Sequence, residues 1–195
     1  MVKIVRETKE TRIEIKVARA KTASPEVEIA TTVRASAIGQ SPEALHFFDH
    51  MLTAFAKYAG LDLSLAAHGD LRHHLMEDVA LALGAAIREI TPDTAARYGE
   101  QTIPMDDALV QSVIDIGGRA FFVGKLPNTL YTHVLRSLAQ SLGATLHVRI
   151  LRGGDRHHVI EAAFKSTGLA LRQAMNDAGT IFSTKGSIHW EKTES

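Results

Sequence analysis

The chain of 195 residues is long enough for one domain, or two small ones, with a sizeable core, and 45% of it is hydrophobic. Its 22 Lys and Arg balance its 22 Asp and Glu, so the overall charge offers nothing to a nucleic acid or an acidic membrane surface, and any anion site must be a local cluster. It has no cysteine and ten histidines, which excludes disulfides and thiolate metal sites and leaves nitrogen and oxygen as metal ligands.

Apolar alternation predicts strands within 2–18 (Val2, Ile4, then Ile13, Ile15, Val17) and over 26–34 (Val27, Ile29, Thr31, Val33). Residues 35–43, with Gly39 and Pro42, read as a loop. Spacings of three and four among Phe48, Met51, Leu52, Phe55 and Tyr58 predict a helix over about 45–58, stopped by Gly60. Leu61, Leu63 and Leu65 alternate as a strand, Gly69-Asp70 turns the chain, and a helix opening at His73 runs to about Ile90 before Pro92. A second series then begins. Residues 108–116 and 120–123 read as strands around a Gly117-Gly118-Arg119 turn, and Pro127-Asn128 breaks the chain. A helix over about 130–142 ends at Gly143, residues 145–150 alternate as a strand, and after Gly153-Gly154 a last helix runs to about Asn176.

The two series match. A shift of 83 pairs His50 with His133, Leu52 with Leu135, Ala56 with Ala139, Gly60 with Gly143 and Leu63 with Leu146. After one extra residue, a shift of 84 pairs His73, His74 and Glu77 with His157, His158 and Glu161, Gly84 with Gly168 and Arg88 with Arg172. The expected architecture is α+β, with an internal duplication of a strands–helix–strand–helix unit. The half-repeats are 1–94 and 95–195, within one compact domain over 1–190.

Both final helices open on His-His-x-x-Glu. Residues four apart share a helix face, so His73 with Glu77, and His157 with Glu161, can each hold one ion. His74 and His158 are rotated about 100° from their neighbours and point elsewhere. If the two phrases face each other, each stray histidine can complete the other's pair. With the duplicated His50 and His133, one site is then His50, His74, His157 and Glu161, and the other His133, His158, His73 and Glu77. Three imidazoles and a carboxylate suit Mn, Fe, Co or Zn better than Ca or Mg, and four ligands leave octahedral positions for substrate. Asp78 reads as a supporting group or a helix-start charge. Asp49 either orients an imidazole or caps a turn. Arg97, Arg119 and Lys185 are candidate anion holders, with Ser183 and Thr184 supplying hydroxyls beside Lys185. No apolar run approaches the roughly 20 residues that span a bilayer, and residues 1–10 lack the apolar core of a signal peptide. The expectation is a cytoplasmic protein without membrane or nucleic-acid partners.

The chain resembles the imidazoleglycerol-phosphate dehydratases of histidine biosynthesis. The resemblance rests on Arg6-Glu7-Thr8-Lys9-Glu10-Thr11, Phe47-Phe48-Asp49-His50-Met51-Leu52, Gly69-Asp70 and His73-His74-Leu75-Met76-Glu77-Asp78. It continues through Pro104-Met105-Asp106, Gly118-Arg119, Arg136-Ser137-Leu138-Ala139 and Leu146-His147-Val148-Arg149. It ends in His157-His158-Val159-Ile160-Glu161-Ala162-Ala163-Phe164-Lys165 and Ser183-Thr184-Lys185-Gly186. It implies a duplicated fold of the ribosomal protein S5 domain 2-like type, two Mn2+ per active site, and a cubic homo-oligomeric shell of 24 subunits with active sites at subunit interfaces. It implies the ligand set already reached from helix geometry. It also implies substrate contacts at Glu10, Arg97, Arg119, Lys165 and Ser183-Thr184-Lys185, with Glu10 as the candidate proton carrier. The chain departs from the family where only Leu71-Arg72 separate Gly69-Asp70 from His73. It is also shorter between Arg119 and His133 and before Ser183, and has Tyr58 in place of a histidine.

The expected function is therefore a lyase that dehydrates imidazole glycerol phosphate, a small phosphorylated imidazole, to imidazole acetol phosphate. A dinuclear phosphate-ester hydrolase and a metal-assembled shell without catalysis are the alternatives.

Overall fold

The structure is a computed structural model that describes residues 1–33 and 42–181. Most of the expected 35–43 loop and the whole Ser183-Thr184-Lys185 segment lie outside the described residues.

Each half begins with a hairpin, continues through a strand–helix–strand crossover and ends in a long helix. In the first half the hairpin is β1 (Val2–Glu7) with β2 (Thr11–Arg19), and the crossover is β3 (Val27–Val33), α1 (Pro42–Ala59) and β4 (Leu61–Gly69). The long helix is α2 (Arg72–Ile90). The second half repeats this with β5 (Tyr98–Met105), β6 (Ala108–Asp115), β7 (Phe121–Val123), α3 (Thr129–Leu142), β8 (Thr145–Arg152) and α4 (Arg156–Ala174). The sheets have equivalent orders, β1-β2-β4-β3 and β5-β6-β8-β7. In both, the hairpin is antiparallel and the crossover strands are parallel. The expected duplicated α+β architecture is the observed one.

Two details differ from the sequence reading. Helix α1 starts at Pro42, where a missing N–H and a fixed φ cost a helix nothing. Strand β5 was not expected. Its inward positions are Gly99, Gln101, Ile103 and Met105, and only Gly99 is fully buried. A side chain at Gly99 would overlap the carbonyl of Ala170 in α4, so the strand is bare where the helix crosses it. Pro104 fits because β5 is an edge strand.

Ile13, Ile15 and Val17 of β2 and Leu61, Leu63 and Leu65 of β4 turn one sheet face onto the helices. Helix α1 answers with Phe48, Met51, Leu52 and Phe55, and α2 with Leu75, Met76, Val79, Leu83 and Ile87. Burying each large apolar side chain is worth about 1.5–3 kcal/mol. The helices of one half then pack on those of the other, α1 against α4 and α2 against α3, giving sheet–helix–helix–sheet layers. The matched glycines allow this. A Cβ at Gly84 would stand 2.6 Å from the carbonyl O of Leu138 in α3, and one at Gly168 would stand 2.7 Å from that of Phe55 in α1. The duplicated arginines end the same contacts. Arg172 lies over Gly60 and Arg88 beside Gly143, the left-handed residues that terminate α1 and α3, where a cation complements a helix C-terminus.

Candidate metal centres

The close packing of α1 on α4 sets His50 beside the face that carries His157 and Glu161. The Asp155 side chain caps α4 by accepting the His157 N–H at 2.7 Å, which fixes where the His157/Glu161 face begins. His50 Nε2 is 3.5 Å and His157 Nε2 3.3 Å from Glu161 Oε2. The Phe47 ring braces that of His157, with centroids 4.8 Å apart. Glu161 is buried, and its Oε1 accepts from Lys165 Nζ at 2.7 Å. Burial pushes its carboxyl up, but the Lys165 hydrogen bond and charge, with His50, hold it below the usual carboxylate range.

The second centre is built in the same way from α2 and α3. Asn128 caps α3 by accepting the Leu130 N–H at 2.9 Å. Glu77 Oε2 lies 3.7 Å from His73 Nε2, Glu77 Oε1 lies 3.1 Å from His133 Nε2, and the two rings are 5.2 Å apart. Although close to Glu77, His133 Nε2 is buried without a hydrogen bond of acceptable geometry. An orphaned buried nitrogen facing a carboxylate and a second imidazole is what a metal ligand looks like without its metal.

In each centre, one atom from each of the three residues lies within 4.8 Å of the others. The structure thus joins His50 to His157 and Glu161, and His133 to His73 and Glu77, across the two halves. It does not bring His74 or His158 to either triad within one chain. His74 instead presents Nδ1 to Asp70 Oδ1 at 2.9 Å and to Glu10 Oε2 at 3.5 Å. His158 presents Nδ1 to Asp107 Oδ1 at 2.8 Å, and its Nε2 lies 3.3 Å from Asp106 Oδ2. The hydrogen bonds that His74 and His158 donate to Asp70 and Asp107 raise their pKa. Asp70 is visible in sequence as the residue four before His74. Asp107 is 51 residues from His158 and left no local signal.

The other candidates are distributed as follows. Arg97, in a left-handed conformation at φ 70°, is gripped by both carboxylate oxygens of Asp115 at 3.1–3.2 Å. It lines a cavity of about 490 Å³ with Arg88, Gly117 and Gly118. Arg119 is exposed next to that cavity, and its carbonyl accepts from Thr145. Lys165 belongs to the first centre. The Arg97 N–H bonds the carbonyl of Ala174, about 13 Å from Lys165 along the axis of α4, and the two side chains are held by different carboxylates, Asp115 and Glu161. Asp78 is buried and paired with Arg6 at 2.9 Å and with Thr11, a structural tie between β1, β2 and α2. Asp49 accepts from Thr31 at 2.6 Å, and burial raises its carboxyl; the bond to Thr31 orients no imidazole.

Two imidazoles and a carboxylate per centre, half-open to water, fit a divalent first-row cation with positions left for other ligands. Fold and site together define a metal-dependent enzyme of duplicated α+β type. The family model described as imidazoleglycerol-phosphate dehydratase matches residues 44–171, and the chain belongs to that family of lyases. The imidazoleglycerol-phosphate dehydratase of Salinibacter ruber is 40% identical over 185 residues, covering 86% of this chain and 92% of its own length. That of Chlorobaculum parvum is 42% identical over 181 residues, covering 84% and 93%. Among solved structures, the Pyrococcus furiosus enzyme in complex with (S)-C348 superposes with a TM-score of 0.79 at 37% identity, covering 95% of this chain and 100% of the other. The Staphylococcus aureus enzyme gives 0.71 at 28%, covering 90% and 98%.

Proposed function

We propose that the protein dehydrates imidazole glycerol phosphate to imidazole acetol phosphate in histidine biosynthesis, with two Mn2+ ions per active site. The observation that carries this reading is the pair of matched imidazole–carboxylate triads, each assembled across the two halves of a family member. His50, His157 and Glu161, completed by His74, hold one ion; His73, Glu77 and His133, completed by His158, hold the other. When bound, the metals supply positive charge that stabilises the substrate imidazole as its anion while a poorly acidic C–H proton leaves.

The remaining work belongs to side chains. Glu10, an exposed carboxylate beside His74, carries the proton between the substrate carbon and the departing hydroxyl. Loss of water leaves an enol, which becomes the ketone. Arg97, oriented by Asp115, acts with Arg119, Lys165 and the Ser183-Thr184-Lys185 segment to hold the phosphate and fix the reacting geometry. His74 and His158 are held by carboxylates outside the triads of their own chain, which supports a reading in which the active site is completed between copies. In this reading the protein is a homo-oligomer of 24 subunits in the cytoplasm. Each subunit is one catalytic domain over 1–190, with the half-repeats meeting between residues 94 and 95. No described helix is long and apolar enough to cross a membrane.

Purified protein incubated with Mn2+ and imidazole glycerol phosphate tests this directly. Loss of substrate with appearance of the ketone supports the dehydratase. Release of inorganic phosphate would indicate a hydrolase, and metal-driven assembly with neither product a structural shell.

A further inference from the structure

The shift of 84 that aligns the two His-His phrases also places Asp70 opposite Gly154. Asp70 is the residue that grips His74 from four positions upstream. Its counterpart has no side chain, yet His158 is gripped in the same way at the same nitrogen. The carboxylate comes instead from Asp107, in the turn joining β5 to β6. It fills the space that a side chain at 154 would occupy, since a Cβ on Gly154 would overlap Asp107 Oδ2. That Oδ2 also accepts the Asp155 N–H at 2.8 Å, which ties the turn to the start of α4. The equivalent turn of the first half carries Glu10, 3.5 Å from His74. In both halves, then, the hairpin turn brings a carboxylate to the imidazole, but only in the first half does the residue four before the histidine bring one as well.

We propose that Asp107 is a positioning residue that replaces, from a different element, the orienting role of Asp70 in the first half. A carboxylate oxygen can only accept, so in both dyads Nδ1 carries the proton and donates it. The Nε2 lone pair is then the one left to bind a cation. On His158 its neighbour is the solvent-exposed Asp106, and on His74 it is the ring nitrogen opposite the one Asp70 holds. Two dyads of one geometry, built from non-equivalent positions, are hard to attribute to helix capping alone. The inference rests on the proposed ligand role of His158.

The test is Mn2+ binding to the whole protein, read by electron paramagnetic resonance of the free ion. Asp107→Ala is expected to weaken the second ion by about 10–100-fold and to add no loss in a His158→Ala background. Adding Gly154→Asp to Asp107→Ala moves the carboxylate to the position equivalent to Asp70, where the backbone is not left-handed, and is expected to recover at least tenfold. Asp107→Asn, which keeps one acceptor, is expected to fall between Asp107→Ala and the native protein. Unfolding transitions in chelator establish that each variant is folded. Native affinity in Asp107→Ala, or a loss that is additive with His158→Ala and not restored by Gly154→Asp, overturns the inference. Native affinity in His158→Ala overturns the ligand reading beneath it, and the inference with it.

Discussion

Lys165 and Glu161 form a pair 2.7 Å apart on one face of α4, and the other oxygen of the same carboxylate faces His50 and His157. Glu161 is buried, so the ammonium is its counter-charge whenever no metal is bound. Lys165→Met is expected to destabilise the metal-free protein by about 3 kcal/mol, because it leaves a buried carboxylate without its hydrogen-bonded counter-charge. Added Mn2+ should close much of that gap by taking over as counter-charge. Denaturant unfolding in chelator and in Mn2+ measures both.

The same pair sets an acid limb. Glu161 titrates below its ordinary range in the folded protein, so it contributes stability above the unfolded value that is lost as pH falls through the lowered one. In Lys165→Met the acid-unfolding midpoint of metal-free protein should move upward.

His74 and His158 have the opposite sign. Their folded pKa values are raised above 6.5 by Asp70 and Asp107. In metal-free protein their contribution is complete below the unfolded value and fades as pH rises through the folded one. Mn2+ binding runs the other way and tightens over the same range as these protons leave. Thermal unfolding in chelator and Mn2+ titration, followed from pH 6 to pH 8, should therefore trend in opposite directions. Parallel trends would contradict the dyads.

Gly168→Ala drives a methyl into the backbone of α1, and Gly84→Ala does the same to α3. Each is expected to cost about 1–3 kcal/mol. Because the glycines set the spacing of the ligand-bearing helices, Gly168→Ala should weaken the His50–His157–Glu161 ion, and Gly84→Ala the His73–Glu77–His133 ion. Site-resolved metal occupancy by anomalous diffraction distinguishes the two.

Crossed ligation between copies makes a sharper demand. His73→Ala and His158→Ala should empty one site, and His74→Ala the other. His50→Ala and His74→Ala should each be inactive alone. An equal mixture, dissociated and reassembled, should regain about a quarter of native activity by random pairing. No recovery would mean that His50 and His74 serve a site from the same chain.

The residues of the two triads were legible in the sequence because much of their geometry is local. An i,i+4 spacing on a helix fixes His73 with Glu77 and His157 with Glu161 wherever that helix goes, and the duplication picked out His50 and His133. The strand–helix order of both halves was legible for the same reason, except for β5, whose inward face is bare at Gly99 because a helix backbone crosses there. Tertiary packing decided the rest. It joined each His–Glu pair to an outlying histidine of the other half, through contacts at Gly84 and Gly168 that no spacing within one helix encodes. It gave Arg97 to Asp115 and Asp78 to Arg6. It also turned His74 and His158 away from the triads of their own chain and onto aspartates, one four residues distant and the other 51. A helix period specifies direction relative to its own axis. What stands in that direction depends on how distant segments pack.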